Sequence, residues 1–460
     1  MIILCDIIKS VKDMLRKNDI IDVKIIDMGC NMEGIAKHDG VVLFVPFAIV
    51  GEKVRVKVIN TKQKAYVCKI IEVLEKSPYR TIPQCPYFEK CGGCQSQHIE
   101  YSKTLDFKRE QVQNAITHIG KENIEVLPCV LSEKDFRYRN KLAFPINPKT
   151  KKIGMYKSYS HDIVDIDDCL IQEDWVKEYI SCIDQFIAKT NVSIYDEDNG
   201  KGVLRHIVAR HYGGIYLFTI VINGEDLPKT EIMVDILKTK FDKFGLSINI
   251  NKEKSNVIMT HDFRHVYGFE NIAIDEFGIK YSINNASFMQ VNNDIKRKIY
   301  FAVLDEVSSD DIVIDAYSGA GLLTAICSKK CKYAYGIEIV KPAVESANNL
   351  MKDNNINNMK NFCGDSAKIL PKLVKEIEGK KTVILDPPRK GCDKNVMEAL
   401  ALSRPEKIVY ISCNPSTLAR DINNLKSVCP DYEVISITPY DMFPYTKHVE
   451  TLAVLKLRGV

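Results

Sequence analysis

Between residues 312 and 413, short apolar runs repeatedly end on a polar residue and give way to a helical pattern. Ile312-Val313-Ile314 runs into Asp315-Ala316-Tyr317-Ser318-Gly319-Ala320-Gly321, and Leu322 to Lys329 then reads as helix. Tyr333 to Ile337 ends in Glu338, and Asp365 follows the third strand. Val383-Ile384-Leu385 leads to Asp386-Pro387-Pro388-Arg389, and Ile408-Val409-Tyr410-Ile411 leads to Ser412-Cys413-Asn414-Pro415. Alternation of buried strands and helices predicts an α/β region, a parallel sheet covered on both faces, from about residue 284. Ligands of such open sheets sit outside the carboxyl ends of the strands, which is where these polar residues fall.

The glycine turn alone is a weak signal. A dinucleotide fingerprint carries a third glycine where this chain has Thr324. With Asp315 and two glycines only, the loop fits S-adenosylmethionine better than NAD, because that cofactor has no pyrophosphate to cradle. Glu338 lies 23 residues beyond Asp315, close to the ~20 expected of an acid that grips ribose hydroxyls. Loop polarity or helix capping is the plain alternative for Glu338 and Asp365; the repetition of acids at successive strand ends weighs against it. The Asp386-Pro-Pro corner is rigid and poor in donors, so it can hold a carboxylate near a reacting methyl group. A lone cysteine is usually core, but Cys413 ends the next strand, where a nucleophile would face the cofactor. His448-Val449-Glu450 precedes the apolar strand Leu452 to Leu457 and offers a carboxylate at the mouth of the same sheet.

Upstream of that region the chain reads differently. Residues 22–76 alternate apolar and polar positions between turns at Asp39-Gly40 and Gly51-Glu52, which predicts a small barrel. Between Gly51 and Arg80, eight basic residues (Lys53, Arg55, Lys57, Lys62, Lys64, Lys69, Lys76, Arg80) face three acidic ones. A phosphate-tracking surface and an ordinary solvated face are equally compatible with that surplus. The whole chain, 460 residues with 64 Lys+Arg against 60 Asp+Glu, does not by itself point to nucleic acid. The expected division is a barrel over 15–76, a central α+β region over 77–283 and a catalytic region over 284–460. No run approaches the ~18 apolar residues of a membrane helix, and the N-terminus lacks signal-peptide features, so a cytoplasmic protein with no membrane partner is expected.

Fifteen cysteines in such a chain read as thiols or metal ligands rather than disulfides. Most, including Cys30, Cys363 and Cys5, are expected in cores. Cys85, Cys91 and Cys94 stand apart, clustered in CPYFEKCGGC with two glycines. Glycine lets backbone amides approach thiolate sulfurs, and Cys169 in IDDCLIQ is available as a fourth ligand. Zinc and an iron–sulfur cluster both fit this pattern.

Taken together, SFMQVN (287–292), DAYSGAG (315–321), GIE (336–338), DPPR (386–389), SCNP (412–415) and FPYTKHVE (443–450) resemble the RNA uracil-5 methyltransferase family. The resemblance covers nearly the whole chain and rests on the order and spacing of the motifs. It implies a Rossmann-like methyltransferase domain in which Gln290, Tyr317, Glu338, Asp365 and Asp386 bind S-adenosylmethionine. Cys413 is then the nucleophile and Glu450 the general base, while Phe288 and Arg389 contact RNA. Ser318 and Leu322 depart from residues common in the family. The segment GCNMEGIAKHDGVVLFVPFAIVGEKV resembles a TRAM domain, an RNA-binding module of the OB type, and makes the phosphate-tracking reading the favoured one. In the rRNA-directed branch the cysteine spacing implies a [4Fe-4S] cluster on Cys85, Cys91, Cys94 and Cys169. Barrel and cluster together imply 23S rRNA as partner; a monomer is expected. A tRNA uracil-5 enzyme, an RNA cytosine-5 enzyme using Cys392, and a non-catalytic RNA-binding iron–sulfur protein are the alternatives. Arg389 directly after the prolines, where a cytosine enzyme has cysteine, argues against the second, and leaves Cys392 to packing.

Overall fold

The computed structural model describes residues 15–62 and 65–459. Two compact units divide the chain: Met1–Gln111 with Tyr445–Lys447, and Val112–Pro444 with His448–Val460.

In the first unit, period-two patterning produces strands β1 (Ile20–Lys24), β2 (Asp27–Met28), β3 (Gly34–His38), β4 (Val41–Val45), β5 (Lys53–Lys62) and β6 (Ala65–Glu75). They form one sheet in the order β1-β5-β6-β4-β3-β2. Val54, Val56 and Val58 share a core with Leu43, Val45 and Tyr66, which leaves the intervening Lys53, Arg55 and Lys57 on the other face. Pro46 has no N–H for a ladder, so the long apolar run yields only the short β4. Helix α1 (Tyr101–His118) follows.

The basic face is smaller than its residue count implied. Arg55 is clasped by Asp22 at 2.8 Å and Glu72 at 3.3 Å, and Arg80 meets the fully buried Glu52 at 2.5 Å. Lys64, the Lys62 side chain and Cys5 lie outside the described residues. The surplus narrows to Lys53, Lys57, Lys69 and Lys76. Within it, Lys57 stands directly opposite Lys69, and Lys53 opposite Lys24. Like charges facing across a ladder are destabilising unless an anion lies over them.

The second unit holds two larger sheets. Strands β7 (Lys141–Pro145), β10 (Leu204–Tyr212), β11 (Ile215–Ile222), β12 (Phe244–Ile250) and β13 (Phe263–Gly268) pair in the order β13-β12-β11-β10-β7. Helices α2 (Trp175–Thr190) and α3 (Thr230–Lys238) accompany them; β8 (Gly154–Tyr156) with β9 (Ile163–Asp165), and β14 (Ile272–Glu276) with β15 (Ile279–Ile283), form small ladders.

Then comes the sheet the sequence marked most strongly. Its strands are β16 (Ile312–Asp315), β17 (Tyr333–Glu338), β18 (Met359–Cys363), β19 (Lys381–Leu385), β20 (Lys407–Ser412), β21 (Tyr432–Tyr440) and β22 (Glu450–Leu457), in the order β18-β17-β16-β19-β20-β22-β21. Helices α4 (Asn293–Asp305), α5 (Leu322–Ser328), α6 (Lys341–Asp353), α7 (Ser366–Glu376), α8 (Lys394–Ser403) and α9 (Pro415–Val428) alternate with them. Ile314, Val383, Leu385 and Tyr410 enter one core, whereas Val313, Ile384, Val409 and Ile411 enter another, so both faces are covered as expected. The expectation of an all-parallel sheet needs one correction. Strand β22 runs antiparallel to both β20 and β21. It returns from β21 without a crossover helix, and such a return permits only antiparallel pairing. Among the described residues no helix is long and apolar enough to cross a membrane.

Candidate active site

The glycine turn after β16 holds two acids by different means. Asp315 is buried, and its Oδ2 accepts from Thr324 Oγ1 at 2.7 Å. Thr324 thus uses the position of the missing third glycine to orient the acid at the head of the turn. Burial, opposed by that hydrogen bond, pushes the Asp315 carboxyl up to about 6. Glu338, at the end of β17, accepts from the amides of Gly319 at 3.0 Å and Val340 at 2.8 Å. A Cβ at Gly319 would meet nothing within 4 Å, so the turn leaves open space beside these acids. Gly321 is different: at φ +80° its Cβ would lie 2.6 Å from the Ala347 Cβ, so the turn needs glycine there to approach α6. Asp365 caps α7 by accepting from Ala367 N at 2.9 Å. That is the plain role considered for it, and it leaves the ligand role untouched.

At the other strand ends three reactive groups converge. Asp386 follows β19, Cys413 follows β20, and Glu450 opens β22, which pairs with β20. Burial pushes the Cys413 thiol up; the nearby Glu450 and Asp386 charges push the same way, and Arg389 opposes them. Burial, reinforced by Asp386 and opposed by Arg389, lifts the 4 % exposed Glu450 to about 8. Asp386 is lifted to about 7 by burial and by Asp315. These mutual influences place the thiol, the two carboxyls and the guanidinium of Arg389 in one electrostatic neighbourhood. Asn414 caps α9 through Ser416 N at 3.1 Å, and its Nδ2 donates to the Arg389 carbonyl at 3.4 Å, so the Cys413 turn and the Asp-Pro-Pro-Arg corner are tied together.

Gln290 and Phe288 lie in the loop between β15 and α4. Arg210 Nη2 donates to Ser287 O at 2.6 Å and Asn140 N to Val291 O at 3.0 Å, bracing the loop on both sides. Phe288 is 83 % exposed, a large ring held out in water by a fixed backbone.

A second layer was not anticipated. Asp421 on α9 is fully buried; its Oδ2 accepts from Tyr410 Oη at 2.7 Å and from Cys392 N at 2.8 Å. Arg420 pairs with the same carboxylate at 2.7 Å and donates to Lys390 O at 2.9 Å. The segment after Arg389 is therefore anchored to the helix that follows Cys413. The available signal was Asp421 between Leu418 and Ile422 on an otherwise apolar stripe. Cys392 is buried in this network and raised to about 12 by burial, as the packing reading requires. Cys30 and Cys363, by contrast, are exposed rather than core.

Of the metal candidates, Cys85, Cys91 and Cys94 share a loop of the first unit. Gly93 N approaches Cys91 Sγ at 3.3 Å, as the glycine argument predicts. Among the described residues no group of three or more His, Cys, Asp or Glu that could hold a metal ion is found. Cys169 sits in the second unit, where its amide donates to Asp168 and its carbonyl accepts from Arg137 at 3.2 Å. The cysteine loop does bind another segment of its own unit: Gln95 N and Ser96 N donate to Tyr445 O at 2.9 and 3.1 Å, and Lys447 N donates to Gln95 Oε1 at 3.1 Å. Tyr445–Lys447 leads by three residues to Glu450.

Residues 226–458 match the family model described as tRNA (Uracil-5-)-methyltransferase, and residues 15–66 match the TRAM domain. An RNA methyltransferase of Clostridium tetani is 37% identical over 97% of this chain and 98% of its own. One from Caldanaerobacter subterraneus is 36% identical over 95% and 97%. Among solved structures, the Pyrococcus abyssi tRNA (uracil-54, C5)-methyltransferase in complex with S-adenosyl-L-homocysteine superposes with a TM-score of 0.76 at 27% identity. It covers 95% of this chain and 100% of that one.

Proposed function

The chain belongs to the RNA (uracil-5-)-methyltransferase family, and on that premise we propose that it methylates carbon 5 of a uracil in structured RNA through Cys413 and Glu450. The observation that carries the proposal is the convergence, at adjacent strand ends, of a thiol, a buried carboxyl lifted to about 8 and the Asp-Pro-Pro-Arg corner.

Carbon 5 of uracil is a poor nucleophile. Addition of the Cys413 thiolate to carbon 6 turns the ring into an enolate whose carbon 5 takes the methyl group. Glu450 then removes the carbon 5 proton, and the sulfur–carbon 6 bond breaks. S-adenosylmethionine supplies the methyl group when bound. The open space at Gly319 beside Glu338 suits it, with Gln290, Tyr317, Glu338 and Asp386 holding it and Asp365 on the adenine side. Arg389 favours the thiolate and is the proposed RNA contact. The uridine must leave its stack, at a cost of a few kcal/mol; stacking on Phe288 would offset roughly 1–3 kcal/mol of it.

The division of labour follows the sequence. Residues 15–76 and 77–283 hold RNA, 284–460 perform the chemistry, and the chain works as a cytoplasmic monomer. On the barrel, the facing Lys57 and Lys69 are the proposed phosphate contacts. Replacing one of them should reduce the salt slope of RNA binding by roughly 0.7 per contact. The Cys85, Cys91, Cys94 loop is proposed to carry an iron–sulfur cluster, supported by its spacing and the Gly93 amide at Cys91. Iron and acid-labile sulfide at about four each per chain after anaerobic isolation would support it, and absence of both would remove it.

The finer substrate proposed is 23S rRNA, on the strength of barrel and cysteine loop together. A second reading, tRNA, is favoured by the full-length likeness to the Pyrococcus abyssi enzyme, because 95% coverage of this chain leaves little room for a region that tRNA enzymes lack. Methyl-labelled S-adenosylmethionine offered with separate unmodified rRNA and tRNA transcripts decides between them. Label recovered as 5-methyluridine from rRNA supports the first reading and from tRNA the second; 5-methylcytidine, or no label, overturns the reaction itself.

A further inference from the structure

A cleft of about 450 Å³ opens in the second unit between the β8–β9 ladder, the loop before β10 and the start of β10. It shares no lining residue with the thiol and carboxyl site, and its size is within the roughly 300–1,000 Å³ of small-ligand sites. One wall is a hydrogen-bonded chain. Tyr156 Oη donates to Glu197 Oε1 at 3.0 Å, and His161 Nδ1 lies 2.9 Å from Glu197 Oε2. His206 Nε2 lies 3.3 Å from the Tyr156 oxygen. Since the tyrosine proton is committed to Glu197, that oxygen accepts from Nε2–H, which leaves His206 Nδ1 as a bare acceptor. His206 is only 6 % exposed, and its Nδ1 has no partner among the described residues. Burial and the Arg205 charge hold its ring neutral, near 4. Arg205, itself 4 % exposed, is anchored on the carbonyls of Asn251 and Glu253 at 2.6 and 2.9 Å and lies over Tyr195, 4.4 Å from the ring centroid.

The lining carries four carboxylates against three fixed cations, so it favours a ligand with a donor-rich edge. We propose that this cleft binds one guanine nucleotide, read by the exposed edge of the Glu197 carboxylate through the base's N1–H and exocyclic amino group. Guanine presents two adjacent donors on that edge. Adenine and cytosine each present one donor beside an acceptor, and uracil a single N–H between two carbonyls. The rings of Tyr156 and His161, 5.7 Å apart and edge-on, supply apolar surface for the base. The nucleotide is either a guanosine of the RNA or a free guanine nucleotide; the recognition chemistry is the same, and it stands apart from the methyl-transfer reading.

Calorimetric titration of the full chain with GMP, AMP, CMP and UMP tests the site without using methyl transfer. GMP is expected to bind at least ~10-fold tighter than AMP, and Glu197→Gln to weaken GMP by ~10-fold with an unchanged melting midpoint. His161→Ala, at a ring that is 75% exposed, provides a second variant with a smaller loss. A raised KM for RNA in Glu197→Gln with kcat kept identifies the RNA as source; an unchanged KM identifies a free nucleotide. Equal binding of GMP and AMP, no binding of either, or GMP affinity that survives Glu197→Gln overturns the proposal.

Discussion

The two halves of the seven-stranded sheet use strand-end acids in opposite ways. On the β16–β17 side, Glu338 accepts one backbone amide on each oxygen and Asp315 is fixed by Thr324. On the β19–β20–β22 side, Asp386 and Glu450 are lifted to about 7 and about 8, and the Cys413 thiol is pushed up beside them. A carboxylate held by fixed donors is oriented to meet a ligand; a carboxyl lifted toward neutrality is suited to exchange protons. The same residue type at the same place in a fold therefore meets two kinds of surroundings, and these suit it to different tasks.

If the reactive half works covalently, Cys413→Ala should lower turnover by at least ~10³-fold while cofactor binding stays within about twofold. Substantial methylation by that variant would erase the distinction between the halves. Glu450→Gln should methylate but fail to release, so protein–RNA adduct accumulates on denaturing gels; a clean gel removes Glu450 from the base role. In the unmodified enzyme the base must be ionised, so the rate limited by release should climb with pH and level off above about 8. A flat profile between pH 6 and 9 would mean that the carboxyl is not what limits release.

The same carboxyl has a cost in stability. Its folded pKa lies above the usual 4.5, so the protonated form is favoured in the native state. The associated stability is complete below about 4.5 and is lost as pH rises toward about 8. Glu450→Gln should therefore flatten the fall in melting temperature across that window and be at least as stable as the parent at pH 8. A variant that melts lower than the parent at pH 8 would mean that the ionised carboxylate is stabilised by partners that burial alone does not reveal.

Strand-end position was legible in the sequence because it needs only pattern: apolar runs of three to five residues, each stopped by Asp315, Glu338, Asp386 or Ser412-Cys413. The antiparallel insertion of β22 was not, since pairing partners depend on distant chain segments and Leu452 to Leu457 is equally apolar in either direction. The Asp421–Tyr410–Cys392 anchor escaped for a related reason. Its members lie on β20, on α9 and in the loop before α8, and only folding makes them neighbours. The basic barrel face shows the opposite failure, an overcount, because charge totals ignore the ion pairs that occupy Arg55 and Arg80. The cysteine loop was legible as a loop, but its spacing alone did not reveal its bonds to Tyr445.

The smallest expected effect probes the gripping half. Thr324→Val keeps shape and removes the hydroxyl that fixes Asp315 Oδ2. Asp315 is already lifted to about 6 with that bond in place, so losing it moves the carboxyl further toward the values of Asp386 and Glu450. One neutral-donor hydrogen bond to a buried acid is worth about 0.5–1.5 kcal/mol, so cofactor affinity should fall by roughly 2- to 12-fold at pH 7.5 with the bound-state rate unchanged. The loss should be larger at pH 6.5, where more of the variant's Asp315 is protonated. Equal losses at both pH values would show that Thr324 acts on the turn's shape alone. The contrast between gripping and proton-exchanging acids would then rest on Glu338 and its two amides.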